Sequence, residues 1–123
     1  LEDIGDFVAA TAGPQFAFSR YAERIARTAV SFRPIREALN EPTNYLDSIL
    51  IKSLEAYFKE EVPEVVGFTV PFPGNLYGAL KCGQWIKKHY PSTKTVIGGG
   101  YVNTELRELR DPSVFDYIDF ITL

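Results

Sequence analysis

Two apolar runs, each closed by a turn of proline or glycine and separated by one helix-length segment, leave few folds open to this chain. The first run is Val65-Val66-Gly67-Phe68-Thr69-Val70, and Pro71-Phe72-Pro73-Gly74 follows it. The second is Thr95-Val96-Ile97, closed by Gly98-Gly99-Gly100. The first run is β-branched or aromatic and apolar at both parities, which predicts a central strand covered on both faces. Between the runs, Leu76, Leu80, Gly83, Ile86 and Tyr90 recur at helical spacing. Gly74 or Asn75 is the expected cap of that helix, and Pro91-Ser92 its stop. From Val65 to Ile97 the chain has the length of a βαβ unit, about 30 residues.

Downstream, Thr104-Glu105-Leu106-Arg107-Glu108-Leu109 predicts a second helix and Asp111-Pro112 a turn. The run Tyr117-Ile118-Asp119-Phe120-Ile121-Thr122-Leu123 predicts a last strand. Alternating strands and helices predict an α/β fold: a partial Rossmann or flavodoxin-like parallel sheet of about three strands, with right-handed crossovers. Upstream the pattern is helical. Phe18, Tyr21, Ala22, Ile25 and Ala29 line one helix face, which Pro34 is expected to bend or end. A helix capped by Thr43 or Asn44 carries the stripe Leu46, Ile49, Leu50, Leu54, Tyr57 and Phe58 until Pro63. Residues 1–62 therefore read as a helical segment and residues 63–123 as a βαβαβ core, together one structural unit. The chain opens at Leu1 and stops at Leu123 inside an apolar run, which reads as a piece of a longer polypeptide.

Composition narrows the function classes. Apolar residues make up 46% and charged residues 24%, which favours a folded core over disorder. A net charge of −3 without a Lys/Arg cluster argues against nucleic-acid binding. No apolar run reaches the roughly 20 residues of a membrane span, and no signal-peptide pattern is present. The single cysteine, Cys82, excludes a disulfide framework and fits a reducing, cytoplasmic compartment.

In sheets of this kind ligands bind beyond the carboxyl ends of the strands, near the point where strand order reverses. Two loops lie at such ends. The first, Thr69 to Asn75, sets Phe72 between two prolines, which hold a loop in one shape at low entropic cost. It reads either as a rigid aromatic wall for a flat ligand or as a tight turn with Phe72 packed down. The second, Gly98-Gly99-Gly100, lets backbone approach a ligand closely or turn sharply against a neighbour; three glycines in a row favour the approach. Asn103 stands where a dinucleotide fingerprint needs glycine, and no Gly-Lys-Ser/Thr sequence marks a P-loop. His89 reads as a solvated helix-end residue, Cys82 as a small core residue, and Glu105, Glu108 and Asp111 as a solvated face.

The stretches Val66 to Leu80 and Val96 to Arg107 resemble the cobalamin-binding domain of cobalamin-dependent radical SAM proteins. The shared pattern is an apolar strand, a Ser/Thr-and-Pro loop, a helix, a turn, and a strand ending in glycines. The resemblance covers roughly Val65 to Leu123. It implies a Rossmann-like fold that holds a corrinoid at the strand carboxyl ends. Its cofactor-binding positions fall on Thr69, Pro71, Phe72, Asn75, Gly98, Gly99, Gly100 and Tyr101, with no catalytic and no metal-ligating residue in this chain. It also implies a downstream radical SAM barrel domain in the same polypeptide, where the 4Fe-4S cluster and S-adenosylmethionine belong. The Asp-x-His-x-x-Gly motif that supplies a histidine axial ligand in methionine-synthase-like domains is absent. Two other readings stand beside this one: a non-catalytic α/β interaction or regulatory module that has lost the cofactor, and a domain for a nucleotide-type small ligand.

Overall fold

In the computed structural model, which describes residue 10 and residues 32–123, the two apolar runs pair side by side as parallel strands. The helical stripe of Phe18, Tyr21, Ala22, Ile25 and Ala29 lies outside the described residues. The elements run α1 (Arg33–Asn40), α2 (Tyr45–Glu60), β1 (Val65–Thr69), α3 (Pro73–His89), β2 (Lys94–Gly98) and α4 (Gly100–Thr104). A 3-10 turn (Pro112–Asp116) then leads to β3 (Phe120–Ile121). The sheet order is β1-β2-β3 with both pairings parallel, so the described strands contain no reversal of strand order.

Helices cover only one face of this sheet among the described residues. Val66 and Phe68 sit opposite Thr95 and Ile97, and Ile97 sits opposite Ile121, so these side chains share a face. Leu76, Leu80 and Ile86 of α3 are buried with Val70, Ile97 and Ile118 in the core, and α1 and α2 pack against α3. Each such aliphatic side chain stabilises the fold by about 1.5–3 kcal/mol through removal from water. The opposite face carries Val65, Gly67, Val96 and Phe120, and Val65 and Phe120 stay 59% and 55% exposed. Among the described residues this differs from the expectation of a doubly covered central strand: β1 stands at the sheet edge with one face open. Its apolar residues at both parities exceed what a single helix layer can bury.

Local chemistry explains most element ends. Asn44 caps α2: its Oδ1 accepts from the Asp47 N–H at 2.9 Å, and the Asn44 N–H donates to Asp47 Oδ2 at 3.4 Å. Pro34 lies in the first turn of α1 and so helps open that helix; a first-turn proline gives up an N–H that has no intrahelical partner anyway. Likewise Pro73 begins α3 behind Phe72, which places Gly74 and Asn75 inside the helix and not at its cap. The helix expected over Thr104 to Leu109 occurs earlier, because Gly99 at φ 111° turns the chain straight into α4. Leu106 is nonetheless buried and Leu109 half-buried. On α2, Phe58 is buried, but Ile49 and Tyr57 of the expected stripe face solvent.

The last strand is shorter than its apolar run. The N–H groups of Tyr117 and Ile118 turn back to the Val114 carbonyl at 3.1 and 3.2 Å, which removes both residues from the sheet. Asp119 then fixes the register. Its Oδ2 accepts from the Thr95 N–H at 2.8 Å and from the Thr95 hydroxyl at 2.9 Å, and its Oδ1 accepts from Lys87 Nζ at 3.0 Å.

Candidate functional site

Because Thr69 sits opposite Gly98 in the parallel register, the loops after β1 and β2 leave the sheet side by side. Two hydrogen bonds join them directly: Val70 N–H donates to the Gly98 carbonyl at 2.7 Å, and Tyr101 N–H donates to the Val70 carbonyl at 3.1 Å. All eight expected site residues therefore gather on one rim, at the carboxyl ends of neighbouring strands.

Within that rim the three glycines do different work. Gly99 is the one described residue with a positive φ, and a Cβ on it would stand 2.8 Å from the Val70 nitrogen and 2.9 Å from its carbonyl oxygen. A Cβ on Gly98 would run into the Thr122 hydroxyl. Both absences of side chain serve close packing of the two loops and of β3. Only Gly100 has room, its nearest such contact being the Pro71 carbonyl oxygen at 3.7 Å, and it is exposed. Tyr101 is buried against the core, and that burial, followed by the nearby Glu105 carboxylate, pushes its phenol pKa up. The surface of this rim is thus made by Thr69, Pro71, Phe72, Asn75 and Gly100, with Phe72 66% exposed.

These groups can hold a ligand but cannot move protons near neutrality. They offer a hydroxyl, an amide, an aromatic face and open backbone, and none of them ionises in that range. An aromatic ring beside Cβ-free backbone suits the edge of a flat, partly apolar molecule. The rim contains no histidine or cysteine that could ligate the cobalt of a corrinoid. His89 lies at the far end of α3, where its ring stacks on Trp85 at 4.8 Å and its Nδ1 lies 2.9 Å from the Trp85 carbonyl oxygen. Cys82 is buried within α3, and burial pushes its thiol up to about 11. Among the described residues no group of three His, Cys, Asp or Glu side chains could hold a metal ion. Glu105 and Glu108 are exposed, and Asp111 caps the 3-10 turn by accepting from the Ser113 N–H at 2.9 Å.

A second polar group of residues escaped sequence reasoning. Asp47 of α2 and Lys81 of α3 are both buried, with Lys81 Nζ 3.7 Å from Asp47 Oδ2. The Tyr77 hydroxyl donates to the same carboxylate oxygen at 3.1 Å. Lys81 Nζ and Gln84 Nε2 both donate to the Leu39 carbonyl, at 3.4 and 3.2 Å, and so satisfy the carboxyl end of α1. Of this network Leu39, Lys81 and Gln84 line a cleft of about 740 Å³, together with Lys52, Trp85 and Lys88. The available signal was a charge on the apolar side of each helix, but the partners stand far apart in sequence and no local pattern couples them.

The fold defines a small α/β protein with a partial parallel sheet, and its rim carries no group that ionises near neutrality. In comparisons with known proteins the chain matches no family model, no curated protein and no solved structure. Among the described residues no helix is long and apolar enough to cross a membrane.

Proposed function

We propose that this chain is the cobalamin-holding module of a cytoplasmic, cobalamin-dependent radical SAM enzyme. The observation that carries the reading is the shared rim. Two loops that resemble the family's cofactor loops leave neighbouring parallel strands together, and they expose Phe72, Asn75 and Gly100 on the same side. In this reading Phe72 would offer an aromatic face, and Thr69 and Asn75 polar groups, to hold the corrinoid. Gly98, Gly99 and Tyr101 act by packing, holding the two loops in register. Cobalamin, when bound, supplies a cobalt centre that can carry a methyl group. The chain's own residues orient the ring and leave its ligation to other groups. The iron-sulfur cluster and S-adenosylmethionine belong to a barrel domain in the same polypeptide, so the radical step lies outside these residues. The parts this module meets are thus a corrinoid and that barrel, with neither nucleic acid nor membrane.

The test is to mix hydroxocobalamin with the chain, and with the polypeptide that contains it, and record the visible spectrum after gel filtration. The reading predicts corrinoid bands that travel with the protein, and a Cys-x-x-x-Cys-x-x-Cys segment downstream in that polypeptide. Bands that stay with the small-molecule fraction in both samples contradict it. A second reading, an interaction module without cofactor, is favoured by the open sheet face bearing Val65, Val96 and Phe120. It gains if the corrinoid fails to bind while substitution of Phe120 by a charged residue abolishes association with a partner.

A further inference from the structure

Among the described residues the outer edge of β1 has no paired strand. The Glu64 carbonyl accepts from the Lys94 N–H at 2.8 Å, and the Val70 N–H donates to the Gly98 carbonyl at 2.7 Å. In a parallel pair, alternate residues direct both backbone groups at the same neighbour. Glu64, Val66, Phe68 and Val70 therefore face β2, and the N–H and C=O groups of Val65, Gly67 and Thr69 point away from it. No described strand lies on that side. Edge strands are usually guarded by lysine, proline or a bulge, and the Val-Val-Gly-Phe-Thr sequence of β1 has none of these.

α2 packs chiefly on α3. Between its last turns and the start of β1 runs a groove of about 440 Å³, lined by Leu54, Tyr57, Phe58 and Val66 with Glu60 and Glu61 alongside. Val66 and Phe68 stay only half-buried although they lie on the helix-covered face. Tyr57 is 74% exposed.

We propose that this edge takes an extended strand of a partner protein, apolar at alternate positions, with a lysine or arginine where it passes Glu60, Glu61 and Glu64. Extended backbone is required because only it can meet the edge groups of Val65, Gly67 and Thr69. Alternate apolar side chains enter the groove beneath α2. Three carboxylates against Lys59 and Lys94 leave that end of the edge negative, which selects a basic residue. A second copy pairing antiparallel through β1 supplies no such charge, since residues 69 to 75 contain none.

The probe is a synthetic peptide of alternating valine and threonine begun by two lysines, added to the 123-residue chain; the control peptide has proline in place of each threonine. Amide exchange is followed residue by residue. The proposal predicts that the first peptide slows exchange at Gly67 and Thr69 by about tenfold or more, while the control does not. Glu60→Lys with Glu61→Lys, both exposed and therefore tolerated by the fold, weakens peptide binding by about tenfold. Failure of the first peptide to slow those amides overturns the proposal. So does slow exchange without peptide, whether in a dimer, where a second copy fills the edge, or in a monomer, where another segment of the chain does.

Discussion

The two loops at the carboxyl ends of β1 and β2 share a rim but are built on opposite principles. The glycine run is packed inward: Gly99 abuts the Val70 backbone, Gly98 abuts Thr122, and Tyr101 enters the core. The segment from Pro71 into the first turn of α3 leaves Phe72 and Asn75 in solvent. The more conspicuous motif in the sequence is therefore the structural one, and the plainer turn carries the available surface. The surface open to solvent at this rim belongs mainly to the first loop, while Gly98 and Gly99 pack the loops and β3 closely together.

Substitution at Gly99 is the hardest test of that division. Gly99→Val adds a β-branched side chain at φ 111° and within 3 Å of the Val70 backbone. Strain of about 1–3 kcal/mol and overpacking of about 1–3 kcal/mol predict a loss near 3 kcal/mol or more, read as a lower urea midpoint. A variant as stable as the parent would break the comparison. The same substitution is a poor probe of ligand contact, because it removes the rim itself.

Breaking the buried pair beneath the helices should cost nearly as much. Lys81→Met leaves the Asp47 carboxylate buried without its cation, and the predicted loss is about 3 kcal/mol by urea titration. The rim residues are not involved, so the loss should add to that of a rim variant and not couple with it. A smaller effect follows at Gly98. Gly98→Ala presses on the Thr122 hydroxyl and should cost about 1 kcal/mol, most of it recovered in combination with Thr122→Gly. An additive double variant would show that the glycine is there for another reason.

Acid provides a graded test of the packed side. Burial alone would raise the Asp119 pKa, but hydrogen bonds from the Thr95 N–H, Lys87 and the Thr95 hydroxyl outweigh it and hold the carboxyl below its ordinary value. The unfolded chain therefore takes up this proton more readily than the folded one. The resulting stabilisation is present above about pH 4 and is lost as pH falls through the folded pKa. Asp119→Asn should flatten that acid limb in a series of urea titrations; an unchanged limb would mean that β3 is not pinned by this carboxylate. The smallest effects on stability belong to the exposed loop, where Phe72→Ala and Gly100→Ala should each stay within about 0.5 kcal/mol.

Much of the fold was legible because its signals are local. The capping amide of Asn44, the apolar face of α3 and the two short runs that became β1 and β2 all follow from neighbouring residues. What was not legible depends on distant partners. The openness of one sheet face depends on how many helices pack and where, which the run Val65 to Val70 cannot encode. The early start of α4 depends on Gly99 meeting Val70, and the Asp47–Lys81–Tyr77 network on the meeting of two helices. The adjacency of the two loops was legible from the alternation of strands and helix; which of their residues face solvent came from the packing of one loop on the other.

Corrinoid retention by the Phe72→Ala protein tests the central claim most directly. Equilibrium dialysis against hydroxocobalamin, with the parent polypeptide and the variant at matched stability, should show a clear loss of bound corrinoid in the variant and an unchanged urea midpoint. Equal retention by both proteins, or retention by neither, would contradict the assignment of recognition to the exposed loop.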